Sequence, residues 1–264
     1  MFDVLKDLPP EEVATWYGRL ADLIEQMNAK VRDPLAPRLL RHWLHGKGKT
    51  LIFAPPEHLK KSKYVVETLK QHRGWYLTNK RFKNKWVGVL PRVQGQSPHP
   101  RDVGYEKWYI PVTMMLHSLV EIDVKWFGDH TPGDADLMTA LRGFQLRTLV
   151  SVLLLKNNSS IVRNASSSGD WYEGKFILFL ANVEDRYDFD PDEHFTVPNP
   201  DYKNRFNVAK PVTPKMEKTL VFHSNAIRIE KAGLAAPYDL RSEPWGVTDL
   251  DIMGPAPVNV KRRI

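Results

Sequence analysis

The sequence predicts an α+β protein, helical through its first third and β-rich beyond it. Three observations carry this. Apolar residues recur at helical spacing from Val13 to Met27, the period switches to two between Val120 and Trp126, and from there short apolar runs alternate with turn-forming clusters. The 264 residues are 42% hydrophobic and 26% charged, ordinary globular proportions that suffice for one large core or two modest ones.

The first helix follows Pro9-Pro10. Val13, Trp16, Leu20, Leu23, Ile24 and Met27 form its apolar stripe, and Glu11 and Glu12 stand in the first turn, where the helix dipole favours acids. A second helix is expected from about Pro37 through "RLLRHWLHG", with Gly46 as its stop and Gly48 just beyond, followed by a short strand in "TLIF". A third is expected in "PEHLKKSKYVVETLKQHRG", ending at Gly74. The loop "RVQGQSPHPRDVG" then separates a mainly helical region, residues 1–95, from a β-rich region, residues 96–264.

Within the second region, Val120, Ile122, Val124 and Trp126 alternate with Glu121, Asp123 and Lys125, the pattern of a strand with one wet face. "FQLRTLVSVLLL" and "IVRN" flank the turn-rich "KNNSS". After the loop "NASSSGD", the stretch "WYEGKFILFLANV" reads as a buried strand, and "KTLVFHS" as a further one before "NAIRIEKAGLAAPYDL" and a tail ending in "VKRRI". There is no internal repeat and no low-complexity segment.

The chain has no cysteine, which excludes disulfides and thiolate metal sites and leaves the redox compartment open. The N-terminus lacks the pattern of a signal peptide, and the longest apolar runs are too short to span a bilayer, so synthesis in the cytoplasm is expected. The formal charge of +7 favours anionic partners: nucleic acid, phosphorylated lipid headgroups or an acidic inhibitor protein. Much of it lies between Lys60 and Lys85, where nine basic residues face the single acid Glu67 and are interleaved with Tyr64, Trp75, Tyr76, Phe82 and Trp86. Such a stretch can follow a nucleic-acid strand, rest on an anionic membrane, or be a plain solvated face.

Against this basic background, "EDRYDFDPDEHF" (Glu184 to Phe195) gathers six carboxylates and a histidine around Arg186. Asp190-Pro191-Asp192-Glu193 has a structural explanation as N-cap, proline at N1 and an acid closing a capping box. Asp185, Tyr187, Asp188 and His194 do not. Two nearby carboxylates can hold Mg²⁺ while it keeps several waters, and a histidine can move a proton at a reacting oxygen. In a regular strand, however, Asp185 and Tyr187 would share a face and Asp188 would point away.

Asp185-x-Tyr187-Asp188, with His194 six residues after Asp188, resembles the D-x-Y-D-x5-H active-site motif of colicin M and related bacteriocins. "LRHWLHGKG" (Leu40 to Gly48) resembles that family's alanine-histidine-tyrosine-leucine segment ending in glycine-x-glycine, and "DWYEGKF" its tryptophan/glycine turn before the catalytic loop. The resemblance covers roughly Leu40 to His194. It implies N-terminal helices followed by a bent antiparallel sheet or half-open β-barrel, in a colicin M-like activity domain that can run continuously from about residue 35. It further implies a Mg²⁺-dependent phosphodiesterase that cuts lipid II between polyprenol and pyrophosphate and so blocks cell-wall synthesis. Asp185, Tyr187, Asp188 and His194 would be the catalytic set. Of these, Asp185 and Asp188 would handle the metal or water, Tyr187 would donate to phosphate, and His194 would act as acid and base. An immunity protein in the producer, peripheral contact with the membrane surface and action in a neighbour's periplasm belong to the same expectation; nucleic acid does not.

Three departures qualify the likeness. Phe195 stands where the family has an arginine, leaving Arg163, Lys203 and Arg205 as candidate substrate-binding cations. The segment between the motif blocks is longer, with extra material around Tyr64 to His130. No receptor-binding or TonB-box region is evident, which points to a secretion-system carrier. Two readings from other classes stay open: a basic module that binds nucleic acid or membrane, and a metal-dependent nuclease built on the same acidic cluster.

Overall fold

A computed structural model describes residues 5–79, 105–122, 131–157, 171–190, 193–198, 200, 218–247 and 258–261. Arg163, Lys203, Arg205, the "IVRN" strand, the separating loop, most of the Val120–Trp126 alternation and the basic residues from Lys80 to Lys85 lie outside them. The elements are α1 (Pro10–Met27), α2 (Leu35–His45), β1 (Leu51–Phe53), α3 (Glu57–Lys60), α4 (Lys63–Thr78), β2 (Tyr105–Glu121), α5 (Pro132–Ala140), β3 (Gly143–Asn157), β4 (Trp171–Tyr187), β5 (His194–Pro198), β6 (Lys218–Phe222), α6 (His223–Lys231), β7 (Tyr238–Ser242), β8 (Trp245–Gly246) and β9 (Val258–Lys261).

The protein is α+β, as its sequence predicts. One sheet has the order β1-β7-β4-β3-β2, with β8 and β9 also paired to β4, and does not close on itself among the described residues; β5 and β6 form a second, two-stranded sheet. The larger sheet is mixed, because β1 runs parallel to β7 (Leu51 opposite Leu240), whereas β7, β8 and β9 all lie antiparallel to β4. No described helix is long and apolar enough to cross a membrane.

The chain divides into two compact units, each discontinuous in sequence. One comprises Met1–Ser62, Glu121–Phe144 and Val183–Glu243; the other comprises Lys63–Val120, Gln145–Asn182 and Pro244–Ile264. The first unit is built on α1 and α2. Val13, Trp16, Tyr17, Leu20 and Ile24 of α1 and Leu35, Leu39 and Trp43 of α2 are buried, and the Tyr17 and Trp43 rings meet edge to face at 5.1 Å. Each such ring contributes about 1.5–3 kcal/mol by leaving water. Helix α2 also packs on α5, and α1 on α6.

Pro34 precedes α2 and offers no side-chain acceptor to its first turn. The cap comes instead from α5, where the fully buried Asp136 accepts from the Leu35 and Ala36 N–H groups at 2.6 and 3.1 Å. Asn28 Nδ2 and His58 Nε2, each 3.0 Å away, complete its shell. A buried carboxylate so surrounded satisfies two orphan amides of the helix and keeps its own lone pairs occupied. Helix α5 is capped within its own sequence, as Thr131 accepts from the Asp134 N–H and Pro132 occupies the first turn.

In the second unit, α4 runs on through Gly74 to Thr78, so the expected stop at that glycine is corrected. The reason lies two residues later: Tyr76 is fully buried and donates to the Thr148 carbonyl at 3.1 Å, a gain that outweighs the roughly 1 kcal/mol helix cost of a glycine. His72, one turn before Tyr76, is held between Thr148 Oγ1 and Ser118 Oγ at 2.8 and 2.6 Å.

Candidate active site at the end of strand β4

Strand β4 does not stop before the acidic stretch but carries it as far as Tyr187, which corrects the expectation that the stretch follows the strand. In register with β7, Glu184 lies opposite Arg241, Asp185 opposite Leu240, Arg186 opposite Asp239 and Tyr187 opposite Tyr238. The alternation of a strand then sorts the residues onto two faces.

One face is a solvated ladder of opposite charges. Arg241 Nε lies 2.9 Å from Glu184 Oε1 and Arg186 Nη1 3.0 Å from Asp239 Oδ1; Arg186 Nε also reaches Asp188 Oδ2 at 3.3 Å. The exposed Asp188 therefore belongs to the Arg186 side of the strand, as the sequence geometry warned.

The other face carries Val183, Asp185 and Tyr187. Val183 is fully buried, while Asp185 and Tyr187 are half-buried. The Tyr187 ring stacks on Tyr238 at 5.3 Å and 19° between planes, a cross-strand aromatic pair. Tyr238 is buried and donates its hydroxyl to the Leu39 carbonyl of α2 at 2.9 Å. The edge of His42, also from α2, meets the Tyr238 ring at 4.4 Å. His42 Nε2 in turn lies 2.8 Å from the Lys49 carbonyl, so this histidine is packed and hydrogen-bonded. Gly46 ends α2 where a Cβ would strike the His42 carbonyl and ring, and Gly48 turns the chain at φ +73°. The "HGKG" stretch thus forms the turn that holds His42 in place.

Beyond Tyr187 the chain leaves β4, and Phe189 turns inward. Its ring lies 4.8 Å from Trp43, 5.8 Å from Tyr187, 6.4 Å from Tyr17 and 5.0 Å from His223. The Glu193 N–H donates to the Asp190 carbonyl at 3.1 Å, closing a single turn, and the His223 N–H donates to the Glu193 carbonyl. Glu193 also pairs with Arg142 at 2.8 Å. Asp190 and Glu193 are thus tied by their main chains, and the Glu193 carboxylate has a structural duty.

The electrostatics follow from this placement. Burial pushes the Asp185 carboxyl up to about 7; a hydrogen bond from the Arg186 backbone works against the shift, and the negative charge of Asp188 adds to it. Burial also pushes the Tyr187 hydroxyl well above its usual value, so it stays a protonated donor. The Tyr238 hydroxyl is raised likewise, first by burial, then by Tyr187, with the Arg38 charge opposing and Asp185 adding.

Of the four catalytic candidates, the structure brings Asp185 and Tyr187 together on one face and sets Asp188 at their end. His194 opens β5 opposite Phe222, exposed, its ring 5.6 Å from that phenylalanine. No hydrogen bond or ion pair links it to the other three among the described residues. Mg²⁺ needs as few as one or two protein carboxylates, with water and phosphate oxygens filling its octahedron. Asp185 and Asp188 supply that number of carboxylates, although Asp188 is paired with Arg186 on the other side of the strand; a buried carboxyl pushed upward, such as Asp185, is one that a cation would return to its charged form. No group of three or more His, Asp or Glu residues that could hold a metal occurs among the described residues.

Sequence reading missed Tyr238, Phe189 and His223. For Tyr238 the signal was present, since "YDLRS" alternates buried and exposed positions, but its pairing with β4 is non-local. Comparison with protein-family models, with curated proteins and with solved structures gives no match to this chain.

Proposed function

We propose that the chain is a hydrolase of a polyprenyl-pyrophosphate-linked substrate, with lipid II as the substrate and Mg²⁺ as the cofactor, and that it acts as an antibacterial toxin. What supports this above all is that the two motif blocks meet. His42 and Trp43 of the first block pack on Tyr238 and Phe189, the residues whose rings meet Tyr187 of the second. A chance match of two short motifs gives no reason for them to adjoin in the fold.

The chemistry is a displacement at phosphorus. Tyr187, a hydroxyl that stays protonated, donates to a phosphate oxygen. Asp185, titrating near neutrality, can take a proton from the attacking water, and its buried setting makes it the better-tuned base of the two aspartates. The exposed His194 supplies a proton to the leaving oxygen once the substrate is in place. Asp185 and Asp188 would hold the Mg²⁺, which supplies neutralisation of phosphate charge. Immunity protein, carrier and periplasmic action stay part of the proposal.

The test is incubation of purified protein with lipid II and Mg²⁺, with and without EDTA, beside Asp188→Ala and His194→Ala. Both residues are exposed, so their substitution should leave stability within about 0.5 kcal/mol. Release of polyprenol and pyrophosphate-linked disaccharide by the wild type alone, stopped by EDTA, is the expected result. Intact lipid II with the folded wild type, or cutting of plasmid or RNA instead, overturns the reading.

A further inference from the structure

A phosphate approaching Asp185 and Asp188 meets two carboxylates and needs a cation to offset them. The arginines nearest the site in the first unit are already engaged. Arg186 and Arg241 serve Asp239, Asp188 and Glu184 on the outer face of the strand, Arg142 pairs with Glu193, and Arg41 pairs with Asp22 and Glu25. Arg38 differs from them. It is exposed on α2 and has no carboxylate partner among the described residues.

Its position follows from the helix. Arg38 and His42 are four residues apart and so lie on one face of α2. The His42 ring is 4.4 Å from Tyr238, and the Tyr238 hydroxyl donates to the carbonyl of Leu39, the residue after Arg38. The Arg38 face of α2 is therefore turned to the Tyr238–Tyr187 stack. Consistent with this, the Arg38 charge reaches the Tyr238 hydroxyl, where it opposes the influence of Tyr187 and Asp185.

We infer that Arg38 is a substrate-binding residue of this site, its guanidinium receiving the phosphate or pyrophosphate group of an ester whose reacting bond lies over Asp185 and Tyr187. The inference rests on the function proposed above and supplies that site with a cation. A guanidinium presents two parallel N–H donors to a phosphate, which an ammonium cannot match, so the role separates arginine from lysine.

The test is titration of the full chain with inorganic pyrophosphate, without Mg²⁺, followed by calorimetry. Wild type, Arg38→Gln, Arg38→Lys and Arg32→Gln are compared, the last removing an exposed arginine elsewhere on the same unit. Arg38→Gln should weaken binding by about tenfold to a hundredfold, Arg38→Lys by less, and Arg32→Gln not measurably. Equal binding by wild type and Arg38→Gln, equal loss in Arg32→Gln, or no binding by the wild type overturns the inference. The two proposals fail separately. Arg38-dependent pyrophosphate binding with intact lipid II removes the substrate and keeps the arginine; cleavage of lipid II with Arg38-independent binding does the reverse.

Discussion

The sharpest consequence of the site's electrostatics concerns stability rather than catalysis. Raising the Asp185 carboxyl from its ordinary 3.8 to about 7 means that the folded chain holds a proton that the unfolded chain has released. At about 1.4 kcal/mol per tenfold, that difference amounts to about 4 kcal/mol, and water reaching the half-buried group reduces it to about 2. The sign follows from linkage. Between pH 3.8 and about 7 the native state binds more protons than the unfolded state, so this residue's contribution to stability falls as pH rises and levels off above 7. Asp185→Asn removes the titration and keeps the shape. The measurement is urea unfolding of both proteins from pH 4 to pH 8.5, compared as a difference so that every other ionisation cancels. The variant's advantage should be near zero at pH 4, grow through pH 5 and 6, and reach about 2 kcal/mol at pH 8. Mg²⁺ added at pH 8 should then stabilise the wild type and not the variant, because an ion that binds only the folded state adds stability. A difference that is flat with pH, or that favours the wild type increasingly above pH 6, would refute the argument that burial sets the state of Asp185.

Three further outcomes are expected. Tyr238→Phe loses the bond to the Leu39 carbonyl and should cost about 1 kcal/mol in chemical unfolding, whereas Tyr238→Ala also removes the ring beneath Tyr187 and should cost about 3–5 kcal/mol. Asp136→Ala strips the cap from α2 and leaves two buried amides unpaired, so a loss of about 3 kcal/mol or more is expected, with a smaller loss for Asp136→Asn; equal losses would mean that charge, not hydrogen bonding, holds the helix start. Raising salt from 50 to 300 mM should raise KM on lipid II in anionic vesicles several-fold and leave kcat unchanged, since a Debye length near 8 Å screens attraction at a distance far more than contacts within the site.

How far the sequence discloses this structure depends on whether a signal is local. Helix α1 carries a full apolar stripe and an acidic first turn, and the structure places it at Pro10–Met27. Strands β3 and β4 are legible as apolar runs between turn clusters. The end of β4 is not, because Glu184 and Arg186 on one face and Asp185 and Tyr187 on the other make the strand polar on both sides, and alternation disappears from the sequence. Its strand character comes from β7, some fifty residues on, whose Tyr238, Asp239 and Arg241 pair with it residue by residue. The start of α2 was misplaced by two residues for a similar reason, since its cap is Asp136, a hundred positions away. The four candidate residues were legible as chemistry, and strand alternation already separated Asp188 from Asp185 and Tyr187; which face is inside, and that His194 sits on another strand, depend on non-local pairing and were not legible.

That division bears on how a basic chain can carry an acidic site. A net charge of +7 draws anionic surfaces toward the protein at long range, yet Glu184, Asp185 and Asp188 at the end of β4 and Asp239 on the paired β7 crowd one spot. Three of these are answered by Arg241 and Arg186 within the outer ladder, so their charge is largely spent before a substrate arrives. Asp185 alone faces inward, and its burial keeps it close to half protonated at neutral pH. The inner face is therefore only weakly negative when empty. A phosphate can then approach without strong repulsion, and a cation arriving with it would hold Asp185 in its charged form.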